Sequence, residues 1–337
     1  MAEQVTAPRF SVIIPVYNRI DEVRDLLDSL SKQTLKNFEV IIVEDGSTLP
    51  CEEVVKAAEG VDVSYYYKEN EGRSIARNYG IARARGDYFV FFDSDCVIPP
   101  DYFNTLTREL DRNPLDCFGG PDAAHESFTT TQKAINFAMT SFLTTGGIRG
   151  GKMSMEKFVP RSFNTGYSRR VYETVGGFRE MFSEDIDMST RIKKAGFSIG
   201  LIRDAYVYHK RRVDFRKFLR QVYVFGMSRI TLKLLYPDSL KAVHVLPALA
   251  VIIGVILVLL SIFVSPWFLA PIAIYLAALL AAALAATHSP VVAVKAIPAS
   301  IIQIGGYGCG FLRAYFLKII LGRGRDIEEE IILRKGK

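Results

Sequence analysis

The chain has 337 residues, of which 49% are hydrophobic and 23% charged, with a formal net charge of +6. That composition excludes a disordered chain, and the absence of repeats or low-complexity tracts excludes a fibrous one. The length suggests about two domains.

The first 30 residues carry Glu3, Arg9, Arg19, Asp21, Glu22, Arg24, Asp25 and Asp28 and no long apolar core, so no secretory leader is expected. The four cysteines, Cys51, Cys96, Cys117 and Cys309, have no metal-ligand spacing and read as reduced thiols. Phe10 to Val16 (FSVIIPV) reads as a buried strand. Ile20 to Gln33 reads as a helix with Val23, Leu26, Leu27 and Leu30 on one face. Phe38 to Val43 is a second strand, Glu52 to Ala58 a short helix, Val63 to Tyr67 a third strand, Ser74 to Arg85 a helix, and Tyr88 to Phe92 a fourth strand. Strands alternating with helices predict a mostly parallel sheet covered on both faces. Residues 115–165 are less regular. Thr129-Thr130-Thr131 and Thr144-Thr145-Gly146-Gly147 read as loop or lid, with Gly146-Gly147 and Gly150-Gly151 as hinges.

The last third is a membrane pattern. Ala242 to Val294 holds no Asp, Glu, Lys or Arg over 53 residues, against the roughly 20 that one span requires. It divides at Ser265-Pro266 into spans at about 243–264 and 267–287, with Trp267 at the interface. Residues 291–321 contain Lys295, Pro298, four glycines from Gly305 to Gly310, and Arg313. They read as embedded or as a third span, the embedded reading being favoured because a crossing would place the basic tail outside. Seven basic residues between Arg203 and Arg220, and more in the carboxyl tail, flank the apolar block as cytoplasmic edges do. That placement leaves nucleic-acid binding without support. Residues 213–241 read as a basic amphipathic helix with Phe215, Phe218, Leu219, Val222 and Phe225 on one face, lying in the membrane interface or on a soluble surface. The expectation is a catalytic domain over 1–212 on the cytoplasmic side of a multi-pass inner-membrane protein.

Four motifs follow the ends of the parallel strands and therefore share one edge of the sheet. They are Pro15-Val16-Tyr17-Asn18, Glu44-Asp45-Gly46-Ser47, the run from Asn70 through Arg73 to Arg77-Asn78, and Asp93-Ser94-Asp95. Each alone reads as turn chemistry or a helix cap. Together they suit a nucleotide. Tyr17 can stack on a base, Asp45 can accept from its N–H, Arg73 or Arg77 can reach the base or diphosphate, and Asp93 and Asp95 can hold a divalent cation through oxygen.

The string FSVIIPVYNR…FEVIIVEDGST…NEGRSIARNYGIARARGDYFVFFDSD resembles the family 2 glycosyltransferases of GT-A fold, over about residues 9–212. The resemblance implies an α/β nucleotide-diphospho-sugar transferase fold, with the apolar helices appended, and an inverting mechanism. It implies that Pro15 and Tyr17 line the nucleotide pocket, that Asp45 binds the base, and that Arg77, or Arg73, lies near base or phosphates. Asp95 would be the direct ligand of Mg2+ or Mn2+, with Asp93 and Ser94 facing the donor sugar or ribose. Asn164 and Gly166 resemble the loop at the acceptor site. Glu184-Asp185 resembles the family's Glu-Asp motif, with Asp185 as the catalytic base and Glu184 as the fallback; both also suit helix capping. His209 matches a metal-ligand position, or else is the polar tip of a strand over Ala205–Tyr208. The chain departs from the pattern at Glu44, where Asp is more common, and at Cys96. It lacks the Gln-x-x-Arg-Trp motif of processive synthases, which implies addition of one sugar.

The expected reaction is transfer from a nucleotide-diphosphate sugar, UDP-linked, to a hydroxyl of a lipid-linked glycan or glycolipid, in polysaccharide or glycolipid assembly. The alternatives are a polyprenyl-phosphate sugar synthase, which needs no base, and a non-catalytic membrane-tethered nucleotide-sugar binding protein.

Overall fold

A computed structural model describes residues 7–123, 128–146, 158–209 and 214–323. The chain forms two compact units: Met1–His125 with Ser154–Lys210, and Glu126–Met153 with Arg211–Lys337.

The strands of the first unit are β1 (Phe10–Val16), β2 (Phe38–Asp45), β3 (Val63–Lys68), β4 (Tyr88–Phe92), β5 (Cys96–Val97), β6 (Cys117–Gly119), β7 (Asp122–Ala123), β8 (Asn164–Ser168), β9 (Ile199–Leu201) and β10 (Val207–His209). Its helices are α1 (Ile20–Ser31), α2 (Glu52–Lys56), α3 (Arg73–Ile81) and α4 (Tyr102–Arg112). Helices α5 (Thr130–Thr140) and α6 (Phe142–Thr145) belong to the second unit, and α7 (Arg169–Val175) and α8 (Glu184–Lys194) return to the first.

The main sheet runs β3-β2-β1-β4-β8-β6-β9. Strands β1 to β4 are mutually parallel, and β8 lies antiparallel to both β4 and β6. Strand order moves outward from β1 through β2 to β3, then resumes at β4 on the other side of β1. The gap between the ends of β1 and β4 is thus the switch point where open α/β sheets bind ligands.

Alternation along the strands sorts the core onto two faces. Val12, Ile14, Val16, Val40, Ile42, Val90 and Phe92 pack with α1 and α4. Ile13, Ile41, Val43, Phe89 and Phe91 pack with α3, α7 and α8. Burying each such side chain is worth roughly 1.5–3 kcal/mol, so strands apolar on both faces hold the site edge rigid. At the other end of β1 and β2, buried Glu39 accepts from Ser11 Oγ at 2.7 Å, Arg85 N at 2.6 Å and Arg85 Nε at 2.7 Å.

A small second sheet, β5-β10-β7, pairs His209 directly with Cys96 across an antiparallel ladder. The strand expected over Ala205–Tyr208 begins later and ends on His209 itself.

The second unit is helical. Besides α5 and α6 it contains α9 (Phe215–Leu235), α10 (Ala242–Phe263), α11 (Ala270–Thr287) and α12 (Pro290–Tyr315). Thr130-Thr131 and Thr144-Thr145 lie in helix, not in the expected loop or lid, and Thr129 is the extended residue that caps α5. Thr129 and Gln132 make a reciprocal capping box that starts α5, which then buries Ala134, Ile135, Phe137, Ala138 and Met139. Gly147, Gly150 and Gly151 lie outside the described residues. Helix α9 buries Phe218, Val222, Ile230 and Leu232 within the unit, while Leu219 is exposed. Glycines bring α9 and α12 into backbone contact: a Cβ on Gly226 would stand 2.0 Å from Tyr307 O, and one on Gly310 2.1 Å from Tyr223 O. Such small-residue crossings are common between helices in membranes. Among the described residues, three helices, Ala242–Phe263, Pro266–Thr287 and Pro290–Ile320, are long and apolar enough to cross a membrane by length and composition. Outward side chains on the first two include Ile253, Val255, Leu259, Phe263 and Trp267.

Candidate active site

The edge beyond the ends of β1, β2, β3 and β4 collects most of the expected residues. Pro15, one residue before the end of β1, pairs with Val43 of β2, and Tyr17 follows the strand, 51% exposed and open to stacking. Asn18, in the left-handed region at φ 52°, accepts from Thr48 N and donates its own backbone N–H to Ser47 Oγ, tying the first two loops together. Glu44 is buried and structural: it accepts from Ser47 Oγ, from Cys51 N at 2.7 Å and from Tyr65 OH at 3.2 Å.

Asp45 is buried and heavily engaged. Its carboxylate accepts from Lys68 Nζ at 2.9 Å, Glu71 N at 3.0 Å and Gly72 N at 2.8 Å. This bundles the end of β2 with the turn into α3. Gly46 makes the bundle possible, because at φ 70° a Cβ would lie 2.6 Å from Asn70 N.

Arg73 and Arg77 occupy the first turns of α3, and both bind Glu184 at the start of α8. Arg73 NH2 donates to Glu184 Oε2 at 2.7 Å and Arg77 NH1 to Oε1 at 2.9 Å. Arg77 NH2 also donates to Asp93 Oδ1 at 3.0 Å. The Glu184 carboxylate is therefore enclosed between two guanidinium groups.

In the turn after β4, Ser94 is half-buried and Asp95 points towards β10. His209 Nε2 lies 3.1 Å from Asp95 Oδ1 and 3.8 Å from Asp93 Oδ2. Phe163 stacks on the imidazole at 4.7 Å and 20° and fixes its plane. Ligand atoms of Asp95, Cys96 and His209 lie within 4.8 Å of one another. A carboxylate and an imidazole are both donors that a divalent cation accepts. Burial, then the charges of Asp95 and Asp93, push the Cys96 thiol far above its ordinary pKa and keep it protonated.

Helix α8 opens with three carboxylates in its first turn, Glu184, Asp185 and Asp187. Asp187 is buried between Arg191, at 3.0 Å, and Arg179, at 3.4 Å. Asp185 is different. One oxygen accepts from Ile186 N at 2.9 Å, and the other meets, among the described residues, the loose contact with Arg161 NH1 at 3.4 Å. Its side chain is the most exposed of the three, at 15% against 1% for Glu184 and 0% for Asp187.

Asn164 opens β8 opposite Phe92, at the edge where β4 ends, and Gly166 lies further in, opposite Val90. Asn164 is fully buried, accepting from Tyr102 OH at 2.6 Å and donating to Ala205 O at 2.8 Å. Gly166 lies in mid-strand, where a Cβ would meet the Phe118 ring at 2.4 Å. Three residues of the site escaped the sequence reading: Lys68, Arg161 and Phe163. Lys68 had a signal, since it ends a parallel strand at the same edge. Arg161 and Phe163 lie in an irregular segment that gave none.

Residues 11–176 match the glycosyl transferase family 2 model. That match covers just under half of the chain. Among curated relatives, an uncharacterized glycosyltransferase of Rickettsia bellii is 44% identical over 112 residues, 33% of this chain and 16% of its own. Glycosyltransferase GlyA of Streptococcus pneumoniae is 41% identical over 104 residues, 30% of this chain and 15% of its own. The uncharacterized glycosyltransferase EpsJ of Bacillus subtilis is 37% identical over 114 residues, 33% of each chain. The matched part of this chain thus spans a third or less of those relatives' length. A mannosyltransferase of Pyrobaculum calidifontis, solved with GDP-Man and Mn2+, superposes with a TM-score of 0.55 at 18% identity, over 95% of this chain and 89% of that one. The fold is GT-A-like, with a mostly parallel sheet and three apolar helices appended.

Proposed function

We propose that the protein is a metal-dependent, inverting glycosyltransferase. It moves one sugar from a nucleotide-diphosphate donor to a hydroxyl of a lipid-linked glycan or glycolipid at the cytoplasmic face of a membrane. The observation that carries this reading is the pairing, within one unit, of the Asp95–His209 cluster at the switch point with a single accessible carboxylate, Asp185, on α8.

In this reading Tyr17 stacks on the nucleobase and Asp45 holds the loop that shapes its pocket. Asp95 and His209 would hold the divalent cation, Mg2+ or Mn2+, which would supply charge neutralisation for the leaving diphosphate. Asp185 Oδ2 takes the proton from the acceptor hydroxyl as its oxygen attacks the anomeric carbon from the side opposite the diphosphate, which inverts that centre. Glu184 is committed to Arg73 and Arg77 and does not serve as a base. Asn164 and Gly166 support the site from beneath and do not touch the acceptor. The favoured donor is UDP-linked; a GDP-sugar is the second arm of the test, because the Pyrobaculum neighbour was solved with GDP-Man. The three apolar helices would tether the enzyme where an amphipathic acceptor resides.

The test is transfer from UDP-Glc, UDP-GlcNAc and GDP-Man to a bacterial lipid extract with Mn2+, comparing wild type, Asp95→Ala and Asp185→Asn. Wild-type product that both variants lose supports the reading. Equal turnover in all three rules out the metal-and-base mechanism, and activity on soluble sugars with none on lipids rules out the lipid acceptor.

A further inference from the structure

Arg77 is 1% exposed and joins two parts of the site that are far apart in sequence. NH2 holds Asp93, in the turn that carries Asp95, at 3.0 Å; NH1 holds Glu184, the residue before Asp185, at 2.9 Å. Its Nε–H has no hydrogen-bond acceptor among the described residues, and Phe178 lies under the guanidinium at 5.4 Å. Burying such a cluster is poor economy for stability alone, since apolar replacements of buried ion pairs are often neutral or stabilising. What a planar guanidinium does provide is a fixed separation between two carboxylates, which Lys cannot reproduce. The start of α8 has reason to need an anchor. Ser183, just before Glu184, sits at φ 65°, a left-handed conformation that strains a residue other than glycine.

We propose that Arg77 is a positioning residue that locks the cation-bearing turn to the base-bearing start of α8, and that it does not contact the donor phosphates. The proposal rests on the glycosyltransferase reading for its catalytic meaning. With both terminal nitrogens committed, Arg77 sets where Asp185 stands relative to a sugar whose diphosphate is held at Asp95 and His209. Arg73, on the same Glu184 but 54% exposed at its side chain, supports the lock from the surface.

The test is Arg77→Lys in the full chain, read by hydrogen exchange with no ligand, by UDP binding with Mn2+, and by kcat and donor KM. Exchange should rise at least tenfold over both 93–96 and 184–188 while the β9 segment 199–201 stays unchanged. UDP affinity and donor KM should stay within threefold while kcat falls at least tenfold. Glu184→Gln, which keeps the side-chain shape, is the second variant should Arg77→Lys fail to fold, and it must show the same paired rise. Exchange rising at neither segment, or at only one, overturns the lock. A tenfold loss of UDP affinity with kcat retained overturns it in favour of a donor contact. Wild type inactive with every donor defeats the glycosyltransferase reading instead, and the lock is then judged on the exchange result alone.

Discussion

Replacing Asp185 by Asn removes one charge and one proton acceptor and leaves the rest of the site in place. The bond from Ile186 N to Oδ1, at 2.9 Å, survives through the amide oxygen. The Arg161 contact is lost as an ion pair, but at 3.4 Å it is longer than a strong charge-assisted bond, and Arg161 is partly solvated. The pair is partly buried, with side chains 28% and 15% exposed, and so long a contact is worth about 1 kcal/mol, so the thermal midpoint should move by only a few degrees. A general base is worth roughly 10²–10⁴-fold, or about 3–5.5 kcal/mol of barrier at ~1.4 kcal/mol per decade. The substitution should therefore lower kcat by about two to four orders of magnitude while donor KM stays near wild type. Steady-state transfer with the donor that the panel selects, run beside a thermal melt, measures both. Retention of more than about a third of wild-type kcat, against that expected loss, would refute Asp185 as the base. It would move the reading towards a lipid-phosphate acceptor, which is ionised already and needs no base.

Three further outcomes test the scaffold. Burial alone would raise the pKa of Glu39, but bonds from Ser11 and Arg85 and the Arg85 charge outweigh it and hold the carboxyl below its ordinary value. A depressed carboxylate stabilises the fold above its unfolded pKa of about 4.3 and loses that contribution as pH falls through the folded value. Wild type should thus melt above Glu39→Gln at pH 7, and the gap should close on acidification; a gap that widens in acid contradicts the assignment. Gly310→Ala should destabilise the second unit by about 1–3 kcal/mol, because its Cβ would stand 2.1 Å from Tyr223 O. Gly305→Ala, which has nothing within 4 Å, should be neutral or stabilising in the same detergent melt. Asn164→Ala, by stranding Ala205 O and Tyr102 OH, should lower the melting temperature without raising acceptor KM in the surviving folded fraction; a selective rise in acceptor KM would return Asn164 to the acceptor site.

Strands β1, β2 and β4 were readable from sequence because each is buried on both faces and so appears as a largely apolar run, interrupted by Ser11 in β1 and by Glu39 near the start of β2. Tyr17, Asp45 and Asp95 were readable because parallel strands deliver their following residues to one edge. The limits have physical causes. β5, β7 and β10 are two or three residues long, too short for periodicity, yet their pairing brings His209 opposite Cys96. The buried charges misled in a different way. Arg77 and Glu184 look like solvent-facing site residues in a string of polar letters, and only the contact between α3 and α8 shows them bound to each other. Asn164 belongs with them, since its partners Tyr102 and Ala205 lie 62 and 41 residues away. Helix α5 did have a local signal, Thr129 followed three residues later by Gln132, but the run of threonines masked it as loop.

The division of labour between Asp95 and Asp185 is most directly measured by titrating UDP, and separately GDP, into protein with Mn2+ while following the free Mn2+ signal by electron paramagnetic resonance. Wild type and Asp185→Asn should bind Mn2+ with nucleotide alike, and Asp95→Asn should bind at least about tenfold more weakly, as loss of a ligand exceeds the effect of losing its supporting partners. Equal Mn2+ binding in Asp95→Asn, or loss of it in Asp185→Asn, would contradict a cation site at Asp95 and His209 separate from a base on α8.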